Sequence, residues 1–285
     1  MDRSFWRVIA NDEKALPQGA WVAELAPELL SWLGSADAEL RDDFAYRILA
    51  AWIERDQFEP GQLRDMAGQM LHNLQIGLGQ RESDSVFLRS YSALVLMEIV
   101  AYDNAHPFLR RDEVVRLLHA VLDYLREECD LRAWVEGPGW AHAIAHTADL
   151  LMMLSRNLQL GAAELELLLD GIADRLLQPC GVVFAQHEDE RLAYAALNVL
   201  RRGLVGWDFL DSWLARFIHP PGRDSWRLVY TLEGESAARV NVTSFLRSLY
   251  FQLMLTENPP PHTTEHLTAV LATLQSMDIG FYALG

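Results

Sequence analysis

The chain has 285 residues, of which 51 % are hydrophobic and 22 % charged, a composition typical of a globular protein and not of a disordered one. Its net charge is −16. Because nucleic-acid binding depends on lysine and arginine side chains that displace counterions from phosphates, we expect no nucleic-acid partner. The same charge disfavours binding to an anionic membrane surface.

The two cysteines, Cys129 and Cys180, are too few for a disulfide framework and indicate reduced thiols. The first residues of the chain contain no apolar signal core. The longest apolar runs, such as 93–97 and 150–154, fall short of a membrane span. We therefore expect a cytoplasmic, acidic protein without a membrane partner.

Helical periodicity dominates the chain. Apolar residues at helical spacing predict a helix around 44–52, with Asp37 as its cap, and Pro60-Gly61 ends it and opens the next helix over 63–74. Further helices are predicted over 87–102, 112–129, 140–158, 162–177, 188–202, 207–217, 242–255 and 264–277. One stretch alternates like a strand, but we favour a short helix or an extended loop there; its alternating residues are Trp226, Leu228, Tyr230 and Leu232.

About a dozen helices joined by short polar turns predict an all-α fold in one domain, residues 1–285. We expect stacked antiparallel helix pairs, which form an α-solenoid (an α-α superhelix) of the HEAT or armadillo kind, or a closed α/α arrangement. Two short strings recur along the chain: Phe87-Leu88-Arg89-Ser90 as Phe245-Leu246-Arg247-Ser248, and Phe44-Ala45-Tyr46 as Leu192-Ala193-Tyr194. These echoes suggest two related halves, about 36–104 and 187–258, around a distinctive middle segment.

The segment 130–149 is the one most suggestive of a functional site. Three of its residues, His142, His146 and Asp149, are spaced i, i+4 and i+7, which places them on one face of a helix. Two imidazoles and a carboxylate in that arrangement can hold a divalent metal ion. The alternatives are a metal-free pocket walled by Trp134 and Trp140, or a structural seam whose histidines bond to a neighbouring helix, and we favour the seam.

The acids Glu188, Asp189 and Glu190 precede a predicted helix, where negative charge suits the positive end of the helix dipole. We favour this capping role. The alternative is that one of them, with His187, faces the same cavity as the histidines of the middle segment.

Arginines form a third candidate group: Arg89, Arg239 and Arg247, with Asn241. Since Arg89 and Arg247 interrupt apolar helices, we expect them to be buried and paired, because an unpaired internal charge is very unfavourable. The expected partners are acids such as Asp149, Asp189 or Glu190. A buried ion-pair network is favoured over anion recognition.

Several of these strings resemble a family of bacterial proteins catalogued only as a domain of unknown function. The matching strings are GWAHAIAHTAD (139–149), EDERLAY (188–194), Asn241 with FLRSLYF (245–251), and FLRSYS (87–92). The resemblance runs roughly from residue 30 to 275, and its specific part is the Trp-Ala-His motif. One departure is Ala133, where the family is expected to have Gly.

The resemblance implies a helical fold but no reaction. It also implies that several polar residues form one site: His142, His146, Asp149, Glu188, Asp189, Glu190, Arg191 and Arg247. We expect a binding or scaffold module with a polar pocket around the His142/His146 helix, whose partner is a peptide, a protein or a small molecule. The ligand-binding residues would be Trp140, Asp130, Arg132, Glu188, Asp189, Glu190, Arg191, Asn241 and Arg247. The alternative is a metal-dependent hydrolase in which His142, His146 and Asp149 bind a divalent metal ion, the one cofactor that the sequence suggests.

Overall fold

A computed structural model describes residues 1–220, 222, 226 and 234–277. Within these residues the protein has 12 helices and almost no strand, and 69 % of it is helical. This confirms the predicted all-α fold, while the stacking of helix pairs into a solenoid stays a prediction. Of the stretch with strand-like alternation, Leu228, Tyr230 and Leu232 lie outside the described residues.

The chain forms two compact units, Met1–Met153 and Leu154–Gly285. The proposed halves, 36–104 and 187–258, lie one in each unit, but their common origin stays a prediction. The prediction that residues 1–285 form a single domain also stays a prediction.

Unit 1 contains six helices before a short hairpin, and a seventh helix, α7 (Ala143–Arg156), begins after it. The six are α1 (Arg3–Asn11), α2 (Val22–Trp32), α3 (Arg47–Glu54), α4 (Pro60–Asn73), α5 (Ser85–Ala105) and α6 (Arg111–Glu127). A π-helical segment, Glu39–Tyr46, runs directly into α3. As predicted, Asp37 caps this segment: its Oδ1 accepts hydrogen bonds from the backbone N–H groups of Glu39 and Leu40 at 3.0 and 3.4 Å.

Helix α5 is the core helix of unit 1 and packs against α3, α4 and the π-helical segment. By length and composition it is apolar enough to cross a membrane, with a mean hydropathy of 1.3, but 67 % of that stretch is buried inside the protein. A buried core helix meets the same criterion. From the sequence alone this helix was not expected to be long and apolar enough to span a membrane, because serine and tyrosine residues divide it into short apolar runs.

The hairpin consists of β1 (Trp134–Val135) and β2 (Gly139–Trp140), which pair antiparallel. The predicted helix over 140–158 is therefore wrong at its start, since α7 begins at Ala143. Two-residue strands are too short to produce a detectable alternation of polar and apolar residues.

Among the described residues of unit 2, five helices follow the last residues of α7: α8 (Ala162–Leu177), α9 (Glu188–Arg202), α10 (Trp207–Ile218), α11 (Glu235–Leu255) and α12 (Thr263–Met277). Helix α11 packs against α8, α9 and α12, and α10 packs against α8 and α12. Helix α11 starts seven residues before the predicted Val242, so Asn241 lies inside it.

Candidate functional site

The hairpin turn depends on two glycines. Gly137 and Gly139 have φ values of +90° and +91°, a conformation that side chains with a Cβ rarely adopt. A Cβ on Gly139 would lie 3.6 Å from the Arg41 guanidinium and 3.8 Å from the Trp134 ring. The glycines therefore let the chain turn tightly against a charged and an aromatic side chain.

Arg41 anchors this turn from the π-helical segment. Its side chain is 0 % exposed and donates hydrogen bonds to the carbonyls of Pro138 at 2.7 Å and Ser35 at 2.8 Å, and to the Asp42 carboxylate at 2.8 Å. The guanidinium also lies 4.2 Å from the centroid of the Phe87 ring, within cation–π range. Arg41 was not predicted as a site residue, because its contact with Pro138 joins positions far apart in the chain.

The hairpin presents two tryptophans to solvent. Trp134 is 56 % exposed and Trp140 38 % exposed, and their rings meet edge to face at 80° with centroids 4.8 Å apart. The ring of His142 stacks on Trp140 at 24° and 4.3 Å. We call Trp134, Trp140 and His142 the aromatic surface; its rings are fixed by contacts with one another and by the anchored turn.

His142 does not lie within the helix, contrary to the prediction. It has a left-handed φ of 47°, and its carbonyl accepts the first hydrogen bond of α7 from the backbone of His146 at 2.9 Å. The two imidazole rings are nevertheless neighbours, with centroids 5.6 Å apart. The Trp-Ala-His string thus ends the hairpin and begins the helix.

His146 lies in the interior, 9 % exposed, edge-on to the ring of Tyr91 at 5.2 Å. Its Nδ1 is 2.7 Å from the Ser90 hydroxyl, which also hydrogen-bonds the Ala141 carbonyl. A serine hydroxyl has one proton, and a carbonyl can only accept it. When the Ala141 carbonyl receives that proton, Nδ1 of His146 is the donor to Ser90, and a neutral ring carries its lone pair on Nε2.

Asp149, the third member of the predicted metal site, acts electrostatically on Tyr46 and Glu98, where its charge favours the protonated form of both groups. Across the described ranges, no group of three His, Cys, Asp or Glu residues is placed to hold a metal ion. The metal site, with His142 and His146, stays a prediction.

Asp130 and Arg132 hold the chain that leads into the hairpin. The Asp130 carboxylate is buried and pairs with the Arg132 guanidinium at 2.6 Å, and it also accepts the Ser83 N–H at 3.2 Å. Arg132 in turn donates to the Ser83 carbonyl at 3.2 Å. Both residues therefore tie the loop before α5 to the hairpin, and their predicted role in ligand binding stays a prediction.

Ala133, where the resemblance led us to expect Gly, has a visible backbone role. Its carbonyl accepts hydrogen bonds from the N–H groups of Ala141 at 2.8 Å and His142 at 3.2 Å. These bonds extend the pairing of the hairpin beyond its two-residue strands.

Arg89 is buried and paired, as expected, but with a different acid. It makes a bidentate ion pair with Glu128 at 2.6 and 2.9 Å, and both side chains are 0 % exposed. Arg247 is exposed, so the prediction that it is buried is wrong. A helix that is apolar overall can still present one residue to solvent, which the sequence pattern does not reveal.

The three acids of unit 2 make local contacts at the start of α9. Glu188 is buried and accepts the backbone N–H of Gln186 at 2.8 Å, and Asp189 accepts the Ser248 hydroxyl at 3.1 Å. Burial raises the pKa of Asp189 in spite of the bond from Ser248. Glu190 is exposed and lies 2.7 Å from Nδ1 of His187. All three acids lie in the first turn of α9, and their favoured role at the positive end of the helix dipole stays a prediction.

Asn241 is buried in α11 and secures a loop of the same unit. Its side-chain oxygen accepts the Phe184 N–H at 2.8 Å, and its amide donates to the Val182 carbonyl at 3.0 Å. Arg191 is exposed at the start of α9. The residues expected to form one site are divided between the two units. Unit 1 contains Asp130, Arg132, Trp140, His142, His146 and Asp149, and unit 2 contains Glu188, Asp189, Glu190, Arg191, Asn241 and Arg247.

Unit 1 also contains a cavity, an open cleft at the surface, that was not predicted from the sequence. Its volume is about 480 Å³, and it is lined by Glu13, Lys14, Tyr46, Arg47, Ala50, Ala51, Glu54, Arg55 and Glu98. The Tyr46 hydroxyl donates to the Glu98 carboxylate at 2.8 Å. The sequence did carry a signal, because Glu98 is the one acid within the apolar stretch from Ala93 to Tyr102.

A family described as a protein of unknown function, DUF2785, matches residues 74–251 of the chain. The chain belongs to the DUF2785 family. The match runs from the end of α4 into α11, so it includes the hairpin, the histidines, the acids of α9 and Asn241, and it is shorter than the range we expected. No curated protein and no solved structure matches the chain.

Proposed function

We propose that this DUF2785 protein is a binding module whose aromatic surface recognises a basic peptide segment. The observation that carries the proposal is the pair of exposed, perpendicular tryptophans on an anchored hairpin. Tryptophan dominates binding energy at protein interfaces because it buries a large area and loses little conformational freedom. Tight anchoring by Arg41 reduces that loss further.

Charge favours a basic partner. Exposed Glu136 lies in the turn between the two strands, and the whole chain carries a net charge of −16. A lysine or arginine side chain can contact a tryptophan face through a cation–π interaction and a carboxylate through an ion pair. Net negative charge also accelerates association with a cationic partner.

The test is a selection of binding peptides from a random displayed library against the purified protein. We expect enriched sequences rich in arginine or lysine, and their binding should weaken with rising salt, because ionic attraction is screened. Enrichment of acidic or purely apolar sequences, or no enrichment, would contradict the proposal.

The hydrolase alternative rests on His142, His146 and Asp149 with a divalent metal. One arrangement is compatible with it: when the Ser90 hydroxyl donates to the Ala141 carbonyl, Nδ1 of His146 carries the ring proton and Nε2 is the ring atom that can bind a metal. We favour the binding role because the exposed tryptophans on the anchored hairpin support it directly.

A further inference from the structure

The cavity of unit 1 has the size of a small-molecule site. Its volume of about 480 Å³ falls within the range of about 300–1,000 Å³ typical of ligand pockets. It is formed by α3, the end of the π-helical segment, the chain after α1, and Glu98 of α5. This places it on elements other than the hairpin that carries the aromatic surface.

Glu98 is the unusual group in this cavity. It is half-buried, and burial, followed by the charges of Glu54 and Asp149, raises its pKa against the opposing hydrogen bond from Tyr46. That hydroxyl donates to Oε1. Within residues 1–220 and 234–277, no cationic side chain forms an ion pair with Glu98. A cationic ligand group would supply the positive charge that the Glu98 carboxylate lacks.

Positively charged residues also line the cavity. Lys14, Arg47 and Arg55 line the same space, and of these only Arg47 forms an ion pair, with Asp43 at 2.9 Å, as far as the described residues go. Lys14, the one lysine of the chain, therefore lines the cavity without a carboxylate partner in the described part of the chain.

The backbone of Lys14 is fixed in an uncommon conformation. Glu13 and Lys14 have positive φ values of 50° and 60°, a conformation that is uncommon for residues with a Cβ and that forms part of the turn ending α1. The Lys14 carbonyl accepts a hydrogen bond from Nε1 of the buried Trp52 at 2.9 Å, and its N–H donates to the Ile9 carbonyl at 2.9 Å. The position of this lysine at the cavity wall is thus imposed by the fold.

We infer that this cavity binds a small zwitterion, with its amine paired to Glu98 and its carboxylate paired to Lys14. The Tyr46 hydroxyl orients the Glu98 carboxylate. A molecule with one charge of each sign compensates Glu98 and Lys14 at once. This site is independent of the peptide-binding role proposed for the hairpin.

The experiment is isothermal titration of the whole protein with probes that separate the two charges. The zwitterions are the free L-amino acids and the linear amino acids from 4-aminobutyrate to 6-aminohexanoate. Hexylamine carries only the amine and hexanoate only the carboxylate. We expect at least one zwitterion to bind at a single site, and more tightly than either single-charge probe.

Two variants and a control assign the contacts. Glu98→Gln keeps an oxygen that accepts the Tyr46 bond, and we expect it to weaken zwitterion and hexylamine binding by about tenfold or more. Lys14→Met should weaken the zwitterion by several-fold but leave hexylamine unchanged. Glu136→Gln, an acid-to-amide change on the hairpin, should have no effect here while it weakens basic peptides, so the two proposals fail separately. If no probe binds at millimolar concentration, or if Glu98→Gln binds like the wild type, the inference is wrong.

Discussion

Replacing Arg89 by methionine should destabilise the protein strongly. Besides its two bonds to Glu128 at 2.6 and 2.9 Å, Arg89 donates to the Ile76 carbonyl at 2.9 Å and the Ser85 hydroxyl at 2.8 Å. Methionine fills a similar volume but leaves the Glu128 carboxylate buried without its cation. Breaking a buried pair in this way costs about 3–5 kcal/mol, a large part of the roughly 5–15 kcal/mol that stabilises a typical domain.

The assay is urea denaturation followed by far-UV circular dichroism, with a double-mutant cycle. Arg89→Met combined with Glu128→Leu removes both charges, so we expect it to lose less stability than Arg89→Met alone. The residual loss, about 1–3 kcal/mol, arises because the Asp130 N–H, which bonds to Glu128 at 2.9 Å, loses its acceptor, and because the Ile76 carbonyl and the Ser85 hydroxyl lose their donor. A loss below about 1 kcal/mol for Arg89→Met would place the pair in the range of exposed ion pairs and refute the reasoning. A double variant as unstable as the sum of the singles would refute it as well.

Three further predictions concern the site. Arg41→Met removes the donor to the Pro138 carbonyl, so acrylamide should quench hairpin tryptophan fluorescence more strongly than in the wild type; unchanged quenching would show that the turn needs no anchor. Burial raises the pKa of Glu98 above its ordinary 4.5, so the folded state binds the carboxyl proton more tightly than the unfolded state does. The protonated carboxyl therefore contributes stability below pH 4.5, and this contribution is lost as the pH rises through the raised pKa. Glu98→Gln should therefore melt at a higher temperature than the wild type at neutral pH, with the difference shrinking towards pH 4.5; a variant that is less stable at neutral pH would contradict this sign. Elemental analysis should find no stoichiometric metal that depends on the two histidines. One equivalent of metal that is present in the wild type and lost in both His142→Ala and His146→Ala would favour the hydrolase.

The helices were predictable because their apolar spacing is local. The periodic stretches over 162–177 and 188–202 agree with α8 and α9 residue for residue. Asp37 and Pro60 mark the starts of helices. Helix capping depends on residues that are close together in the sequence, so these starts are also predictable from local patterns. Such signals require no knowledge of what packs against them.

The site was less predictable because it depends on contacts between distant positions. The partner of Arg89 is Glu128, and the anchor of the hairpin is Arg41. Neither spacing nor composition identifies either contact. His142 has helical spacing to His146 but lies outside the helix, because the preceding glycines allow a hairpin that extends to Trp140.

The most direct test of the binding role is the affinity of a selected basic peptide for Trp134→Ala and Trp140→Ala, measured by fluorescence anisotropy. The matched control is Trp21→Ala, because Trp21 is 72 % exposed in the same unit but lies outside the hairpin. We expect each hairpin variant to lose about 2 kcal/mol or more of binding free energy, roughly thirtyfold in Kd, while Trp21→Ala binds like the wild type. Equal affinities for all four proteins would show that the peptide binds elsewhere and would contradict the proposed function.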